Sequence, residues 1–480
     1  MSYRMILRTT GAVMLIEAAV MVVMTLVSLL YSENPVPFLI TIGILIILGF
    51  PLSKIKIKQK AFFAKEGFVT AAITWIVLSV FGALPFYING GFGNYINCFF
   101  EAVSGFTTTG ATILAEIESL PKAILLWRSM THFIGGMGIL VLATAIIPTG
   151  NNRSQHLMKA EMPGPTAGKL VPRLSQSSKI LYAIYIALTI LEFIVLLFAK
   201  VSVFDSINLA LATAGTGGFC ITNASIASYG SPAVEIITSI FMLLFSVNFT
   251  IYFLLLTRNF TSIRKNQELW FFVGIVAVCT LLITFNICSV ASSFGEGLRH
   301  AFFVVSSTIS TTGFVTVDYD LLWPTFSKCI VLLLTVIGAC AGSTGGGIKV
   351  SRFLVLLKSV AQEIRQTIHP RSVSVIRVDD TPVNTNVTRS IMRYLAAWVF
   401  CVIIGTLVIS LNNFDFVTTF SAVLTCIGNV GPGLGAVGPV MNFDVMSDFS
   451  KIILSFTMLL GRLEIFPLLI FFSPKTWRNT

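Results

Sequence analysis

The sequence predicts an all-α polytopic membrane protein, with four pseudo-symmetric helix–pore-loop–helix repeats around one pore plus an N-terminal two-helix hairpin. Three observations predict this. Charged residues make up only 11% of the 480 and hydrophobic residues 55%, where a soluble globular chain carries about 25% charged; the mean hydropathy is +0.88. Several apolar runs reach the roughly 20 residues needed to cross a bilayer. Between these runs lie four short Thr- and Gly-rich stretches, similar to one another and unsuited to a spanning helix: GFTTTGAT (Gly105 to Thr112), ATAGTGGF (Ala212 to Phe219), SSTISTTGF (Ser306 to Phe314) and TCIGNVGPG (Thr425 to Gly433).

Taken in order, residues 9 to 31 and a second run ending near Pro51 form the hairpin, which has no such loop. Glu17, inside the first run, must face protein because a lipid-facing carboxylate is costly. Lys54, Lys56, Lys58, Lys60 and Lys65 mark the cytoplasmic side. Each repeat then reads as a span, a re-entrant segment and a second span. The segments are 68–88, 97–112 and 124–148; 180–199, 205–219 and 233–256; 269–290, 297–314 and 326–360; and 392–411, 415–433 and 449–472. That makes ten spans, with domain limits at 1–53, 54–150, 151–260, 261–375 and 376–480. A polar, proline-containing linker runs from Asn151 to Lys179. Placing both termini and the linkers near 54–65, 149–179, 257–267 and 348–393 inside puts 25 of the 32 Lys and Arg residues there, as the positive-inside rule requires. Ten acids then fall outside, among them Glu101, Glu116, Glu118, Asp318 and Asp320. They either focus cations toward the mouth or simply solvate loops. Arg128 is expected to snorkel or to pair with an acid. The glycines of HFIGGMG, His132 to Gly138, suit close packing or a bend.

Aligned on Gly110, Gly218, Gly313 and Gly431, the four loops recur at intervals of roughly a hundred residues, a repeat that outweighs any single motif. The residue two positions before each glycine is Thr108, Thr216, Thr311 or Asn429, and the one between is Thr109, Gly217, Thr312 or Val430. These twelve residues are the candidate cation-binding filter. Carbonyl oxygens freed from helical bonding can replace the water shell of a dehydrated cation, which suits potassium better than sodium. The short helices ending at the loops would aim partial negative charge at it. The Gly217-Gly218 pair and Asn429-Val430-Gly431-Pro432 make the filter less regular than a symmetric tetramer's. GACAGSTGGGIK, Gly338 to Lys349, interrupts the span after the third loop. It is not a phosphate-binding loop, since Ile348 separates Gly347 from Lys349 and the flanks are membrane spans. Gly338, Gly342, Ser343, Thr344, Gly345, Gly346 and Gly347 are candidate residues of a flexible gate, a rigid kink being the other reading. Arg462 sits mid-span, where arginine usually faces the protein interior. It either sets a barrier at the pore or gate, or pairs structurally with carbonyls or an acid; Glu464, two residues on, points elsewhere on a helix.

Eight cysteines without a CxxC pair read as small buried hydrophobes. The four histidines lack metal-ligand spacing. Nothing indicates a catalytic pair, an organic cofactor or, despite the net charge of +11, nucleic-acid binding.

The four loops, WRSMTHFIGGMGILVLA (Trp127 to Ala143), GACAGSTGGGIKVSR (Gly338 to Arg352) and GRLEIFPLL (Gly461 to Leu469) resemble the TrkH/TrkG subunits of bacterial potassium uptake systems, within the Trk/Ktr/HKT superfamily. The resemblance covers essentially the whole chain. It implies four helix–pore-loop–helix units and a homodimer with one pore per protomer in the lipid of the bacterial inner membrane. It also implies a ring of TrkA-like cytoplasmic subunits whose RCK domains bind nucleotide. It matches the family's filter glycines to Gly110, Gly218, Gly313 and Gly431, its gate to Gly338 to Gly347, and its pore-side arginine to Arg462. Plant relatives that prefer sodium carry serine at the first filter glycine, so Gly110 implies K⁺ as the transported ion. Open alternatives are a sodium- or proton-coupled symporter and a less selective monovalent cation channel. A broken-helix carrier for an organic solute is disfavoured by four same-direction loops. An intramembrane enzyme is disfavoured by the absence of a partner for His132.

Overall fold

The computed structural model describes residues 3–56, 64–138, 174–371 and 375–477. Most of the polar linker and the far end of the first repeat's second span lie outside them. The hairpin is α1 (Tyr3–Leu30) and α2 (Val36–Ser53). Unit 1 holds α3 (Ala64–Gly82), α4 (Leu84–Asn89), re-entrant α5 (Tyr95–Phe106) and α6 (Lys122–Gly136). Unit 2 holds α7 (Leu174–Phe198), re-entrant α8 (Val203–Gly215), α9 (Pro232–Ser246) and α10 (Phe249–Leu256), with the short α11 (Phe260–Lys265) leading on. Unit 3 holds α12 (Gln267–Ile287), re-entrant α13 (Phe294–Ile309), the turn α14 (Tyr319–Leu322), α15 (Thr325–Ile337) and α16 (Val350–Ile368). A two-stranded hairpin, β1 (Arg377–Val378) and β2 (Thr381–Pro382), leads to unit 4: α17 (Thr385–Ile409), re-entrant α18 (Phe416–Gly428), α19 (Asp448–Arg462), α20 (Phe466–Phe472) and the terminal turn α21 (Pro474–Trp477).

The re-entrant helices start alike because their first residues are chosen alike. Asn94, Ser202, Ser293 and Asp415 each accept, through the side chain, the amide three residues on, satisfying one of the orphan donors of a helix N-terminus. Their lengths, 12 to 16 residues, stop them mid-membrane. The spans around them show two faces. In α17, Tyr394, Trp398 and Val402 are buried while Phe400, Ile403, Ile404 and Leu407 are exposed. Apolar surface this continuous belongs against lipid, so the chain is an integral membrane protein. Glu17 faces protein, fully buried, as its cost in lipid demands.

One expectation needs correction. Six helices among the described residues are long and apolar enough to cross a membrane, and α9 with α10, bent by 90°, would make a seventh. The second spans of units 2 and 4 are broken rather than continuous over 233–256 and 449–472; that of unit 3 is interrupted within Gly338 to Lys349 as expected, and α6 of unit 1 ends at the glycines read as close packing or a bend. α6 stops at Gly136 and Gly138 turns to φ 81°. α9 stops at Ser246, and Asn248 starts α10 by accepting the Thr250 amide. α15 stops where Gly338 takes φ 70°, ψ −160°. α19 stops at Arg462, with Glu464 and Ile465 at φ 53° and 66° before Pro467 restarts the chain as α20.

The hairpin is fixed to this frame in two ways. α1 crosses α2 where Gly11 meets Gly49 and Leu52, the close approach that small residues allow. Glu33, in its turn, accepts the amides of Lys122 and Ala123 at 2.7 and 3.0 Å, capping α6 from outside its own unit. A β-carbon at Gly11 would overlap Leu52 and the Ser53 amide. Gly11→Val is therefore expected to splay the hairpin at a cost of about 1–3 kcal/mol, read as a lowered melting temperature of the purified protein in detergent, whereas Gly43→Ala, which faces open space, leaves it unchanged.

Candidate functional site

Each loop begins with the same helix ending. The amides of Thr108, Thr216, Thr311 and Asn429 bond the carbonyls three residues back, and the next amides, of Thr109, Gly217, Thr312 and Val430, reach five residues back at 2.9 to 3.0 Å. This is the Schellman ending, which needs one residue in the left-handed region and usually takes glycine there. Here Thr108, Thr216, Thr311 and Asn429 occupy it, with φ 55°, 53°, 60° and 55°. A left-handed threonine costs roughly 1–2 kcal/mol, and such strain persists only where the surroundings hold it. The side chains show why glycine is absent. Thr108 Oγ1 accepts from Arg462 at 3.2 Å, and Thr311 Oγ1 accepts the Gly346 amide at 2.6 Å. Asn429 Nδ2 donates to Thr109 Oγ1 and to the Met458 carbonyl, both at 3.0 Å.

Two residues later the chain again turns left-handed, at Gly110, Gly218, Gly313 and Gly431, with φ 78°, 77°, 83° and 94°. A β-carbon on Gly110 would overlap the carbonyl of Gly217, one on Gly218 that of Thr312, one on Gly313 that of Val430, and one on Gly431 that of Thr109. The contacts run from unit 1 to 2, 3, 4 and back to 1. In every case the carbonyl belongs to the residue before the next loop's glycine. The structure thus brings all twelve expected loop residues into one closed ring.

Unit 1 braces the ring most heavily, through residues whose part in this sequence inspection did not reveal. His132 Nδ1 lies 2.7 Å from the Gly105 carbonyl, and Nε2 lies 3.1 Å from the Phe219 amide. An amide only donates, so Nε2 accepts and Nδ1 carries the proton; the neutral ring ties the end of α5 to the second loop. Arg128 and Glu101, both inaccessible, form an ion pair at 2.8 Å. Glu101 also accepts from Thr112 Oγ1 and the Ile113 amide, and Arg128 donates to the Cys220 carbonyl at 3.0 Å and covers the Phe219 ring. Of the two options for Arg128, pairing is the one adopted. A charge of each sign inside apolar segments was the available signal.

Above the ring is a cavity of about 110 Å³ lined by all four glycines. None of the ten outer carboxylates lines it, and its charged member is Arg128. Glu101 is neutralised by that arginine, and Asp320 accepts the Gly435 amide and pairs with Lys328. The sequence leaves two readings of the outer acids, and none of these acids forms the wall of the cavity above the ring.

Below the ring lies a space of only about 40 Å³, lined by Gly342, Ser343, Gly345, Gly346 and Gly347 of the intramembrane loop, with Lys349, Arg462 and Glu464. The loop's ends bond each other: the Ile348, Lys349 and Val350 amides reach the Val336, Ile337 and Ala339 carbonyls at 3.0 to 3.1 Å. Gly338 and Lys349, at φ 70° and 85°, form its two corners. Its tip fills the break in unit 2, where the Cys340 amide reaches the Ser246 carbonyl, Thr344 Oγ1 the Phe245 carbonyl, and the Phe249 amide the Gly342 carbonyl. Arg462 donates to Thr108 Oγ1, to the Thr344 carbonyl at 2.8 Å, and to the Gly135 and Gly136 carbonyls at 2.5 and 2.6 Å. Glu464 pairs instead with Arg352, which lies over the Tyr394 ring. Arg462 is thus both beside the loop and bonded to carbonyls, uniting two readings that the sequence left as alternatives.

Removing one partner of the buried pair strands the other. Arg128→Met is expected to cost about 3–5 kcal/mol, measured by thermal unfolding. Adding Glu101→Gln recovers part of that, since the amide still accepts from Thr112 and Ile113. Additive losses in the double variant would contradict the pairing.

The family model for TrkH, a cation transport protein, matches residues 37–479. The Trk system potassium uptake protein TrkH of Escherichia coli (strain K12) is 37% identical over 491 residues, covering 100% of both chains. The Trk system potassium uptake protein TrkG of the same organism is 36% identical over 419 residues, covering 86% of each. The crystal structure of the potassium transporter TrkH from Vibrio parahaemolyticus superposes with a TM-score of 0.90 at 33% identity over 100% of both chains. This chain therefore belongs to the TrkH family, a family of cation transport proteins and not of enzymes.

Proposed function

We propose that this chain carries potassium across a bacterial cytoplasmic membrane, through the ring of loop carbonyls and past the intramembrane loop as its gate. The closed ring carries the reading: four carbonyls, one from each loop, are each packed against the glycine of the preceding loop, where a β-carbon would not fit. A dehydrated K⁺ fits such oxygens, and the C-terminal ends of α5, α8, α13 and α18 add partial negative charge without adding a carboxylate. The names of the relatives support K⁺ as the ion.

Gating rests on the narrow space beneath the ring. Loop 338–349 narrows it and Arg462 pins the loop, so passage requires the loop to move. The partner in that movement is a cytoplasmic TrkA-like ring of nucleotide-binding RCK subunits, and the working assembly is a homodimer with a pore in each protomer and both termini in the cytoplasm. The Trk system names of the relatives agree with a multi-subunit assembly.

In proteoliposomes, K⁺ and Rb⁺ are expected to pass faster than Na⁺ and Li⁺, driven by their own gradient alone. Gly110→Ser places a side chain on the Gly217 carbonyl and is expected to reduce K⁺ preference over Na⁺ at least about tenfold, corresponding to ~1.4 kcal/mol. Flux indifferent to that change would remove the ring from the pathway. A requirement for a proton or sodium gradient would favour the symporter over the channel.

A further inference from the structure

The gate loop is gripped from one side by a carboxylate that has no part in the ring. Glu268, in the first turn of α12 and buried, accepts two backbone amides through the same oxygen: Ala341 at 2.7 Å and Ser351 at 3.1 Å. Ala341 lies near the loop's start and Ser351 just past its end. One oxygen therefore spans the loop and closes its neck from outside, in addition to the bonds the two ends make to each other. Among the described residues neither amide has another acceptor. If the loop swings away, Ala341 must leave Glu268 while Ser351, on α16, can stay.

The preceding residues of α12 connect this grip to the membrane surface. The Gln267 amide donates to Asp379 Oδ1 at 2.8 Å, at the turn of the β1–β2 hairpin. Lys358 of α16 bonds both Gln267 Oε1 and the Arg377 carbonyl. The hairpin and α16 are thus both bonded to Gln267, the residue next to Glu268.

We infer that Glu268 is a positioning residue for transport, a latch that holds the intramembrane loop in its occluding place and that is released through the 377–382 hairpin. The inference rests on the loop being the gate.

The test uses the full-length protein in proteoliposomes with two readouts: Rb⁺ flux, and the rate of alkylation at Ser343→Cys read on its peptide by mass. Ser343 lines the space under the ring, so its labelling follows loop position whatever the flux does. Glu268→Ala is expected to raise both flux and labelling about tenfold, while Glu268→Gln, whose carbonyl can accept the same two amides, stays within about twofold of the parent. If Glu268→Ala does not survive purification, Glu268→Asp, which withdraws the oxygen by one methylene, replaces it. Parental labelling in Glu268→Ala, or a loss of flux without faster labelling, would overturn the latch. Faster labelling with unchanged flux would uphold the latch and overturn the gate.

Discussion

The structure depends on one backbone constraint, met four times: a helix must end in mid-membrane in a loop whose backbone closes on the next loop. Unpaired backbone is tolerated at that depth only where protein encloses it or a wet cavity replaces lipid. The left-handed threonine or asparagine solves the first half, folding two amides back over the helix end. The glycine two residues later solves the second, letting the chain run close enough to the next loop that its carbonyl is walled by backbone rather than by a side chain. Because every glycine is pressed on a neighbour's carbonyl, no loop can be repacked alone.

Strain and bracing are shared unequally. All four left-handed residues are non-glycine, so the strain is paid for around the whole ring, yet the heaviest supports lie between loops 1 and 2. There His132 and the Arg128–Glu101 pair reach Gly105, Ile113, Phe219 and Cys220. Loops 3 and 4 rest instead on what lies beneath them: Thr311 on the intramembrane loop, Asn429 on α19. Loop 1 shares in this lower support too, since Thr108 accepts from Arg462, which also bonds the Thr344 carbonyl of the intramembrane loop.

Much of this was legible in the sequence, for a definite reason. The aligned Thr–x–Gly positions are local chemistry, since a left-handed residue and a positive-φ glycine act within three residues, and each landed where the alignment put it. The glycine run 338–347 announced broken helix for the same reason. What could not be read was pairing across distance. Glu101 and Arg128 are 27 residues apart, and nothing local says that they meet; counting Glu101 with the outer acids followed from that gap. Glu464 stands two residues from Arg462, but its partner Arg352 is 112 residues away. The breaks in units 2 and 4 were hidden by apolar residues that continue straight through them. Asn248 and Pro467 were faint marks inside runs whose hydropathy alone suggested continuous spans.

Those breaks explain one another. Each opens a helix where water is scarce, and the groups freed in one unit are satisfied by another. The Gly135 and Gly136 carbonyls of unit 1 take the guanidinium of unit 4. The Phe245 and Ser246 carbonyls of unit 2 take the loop of unit 3, and the loop's Thr344 carbonyl takes Arg462 again. A buried polar group left unmatched costs about 1–3 kcal/mol, so displacing the loop while the breaks stay dry is unfavourable. Water entering the space beneath the ring would supply the missing partners. Under the proposed gating, hydration of that space and displacement of the loop are therefore one event.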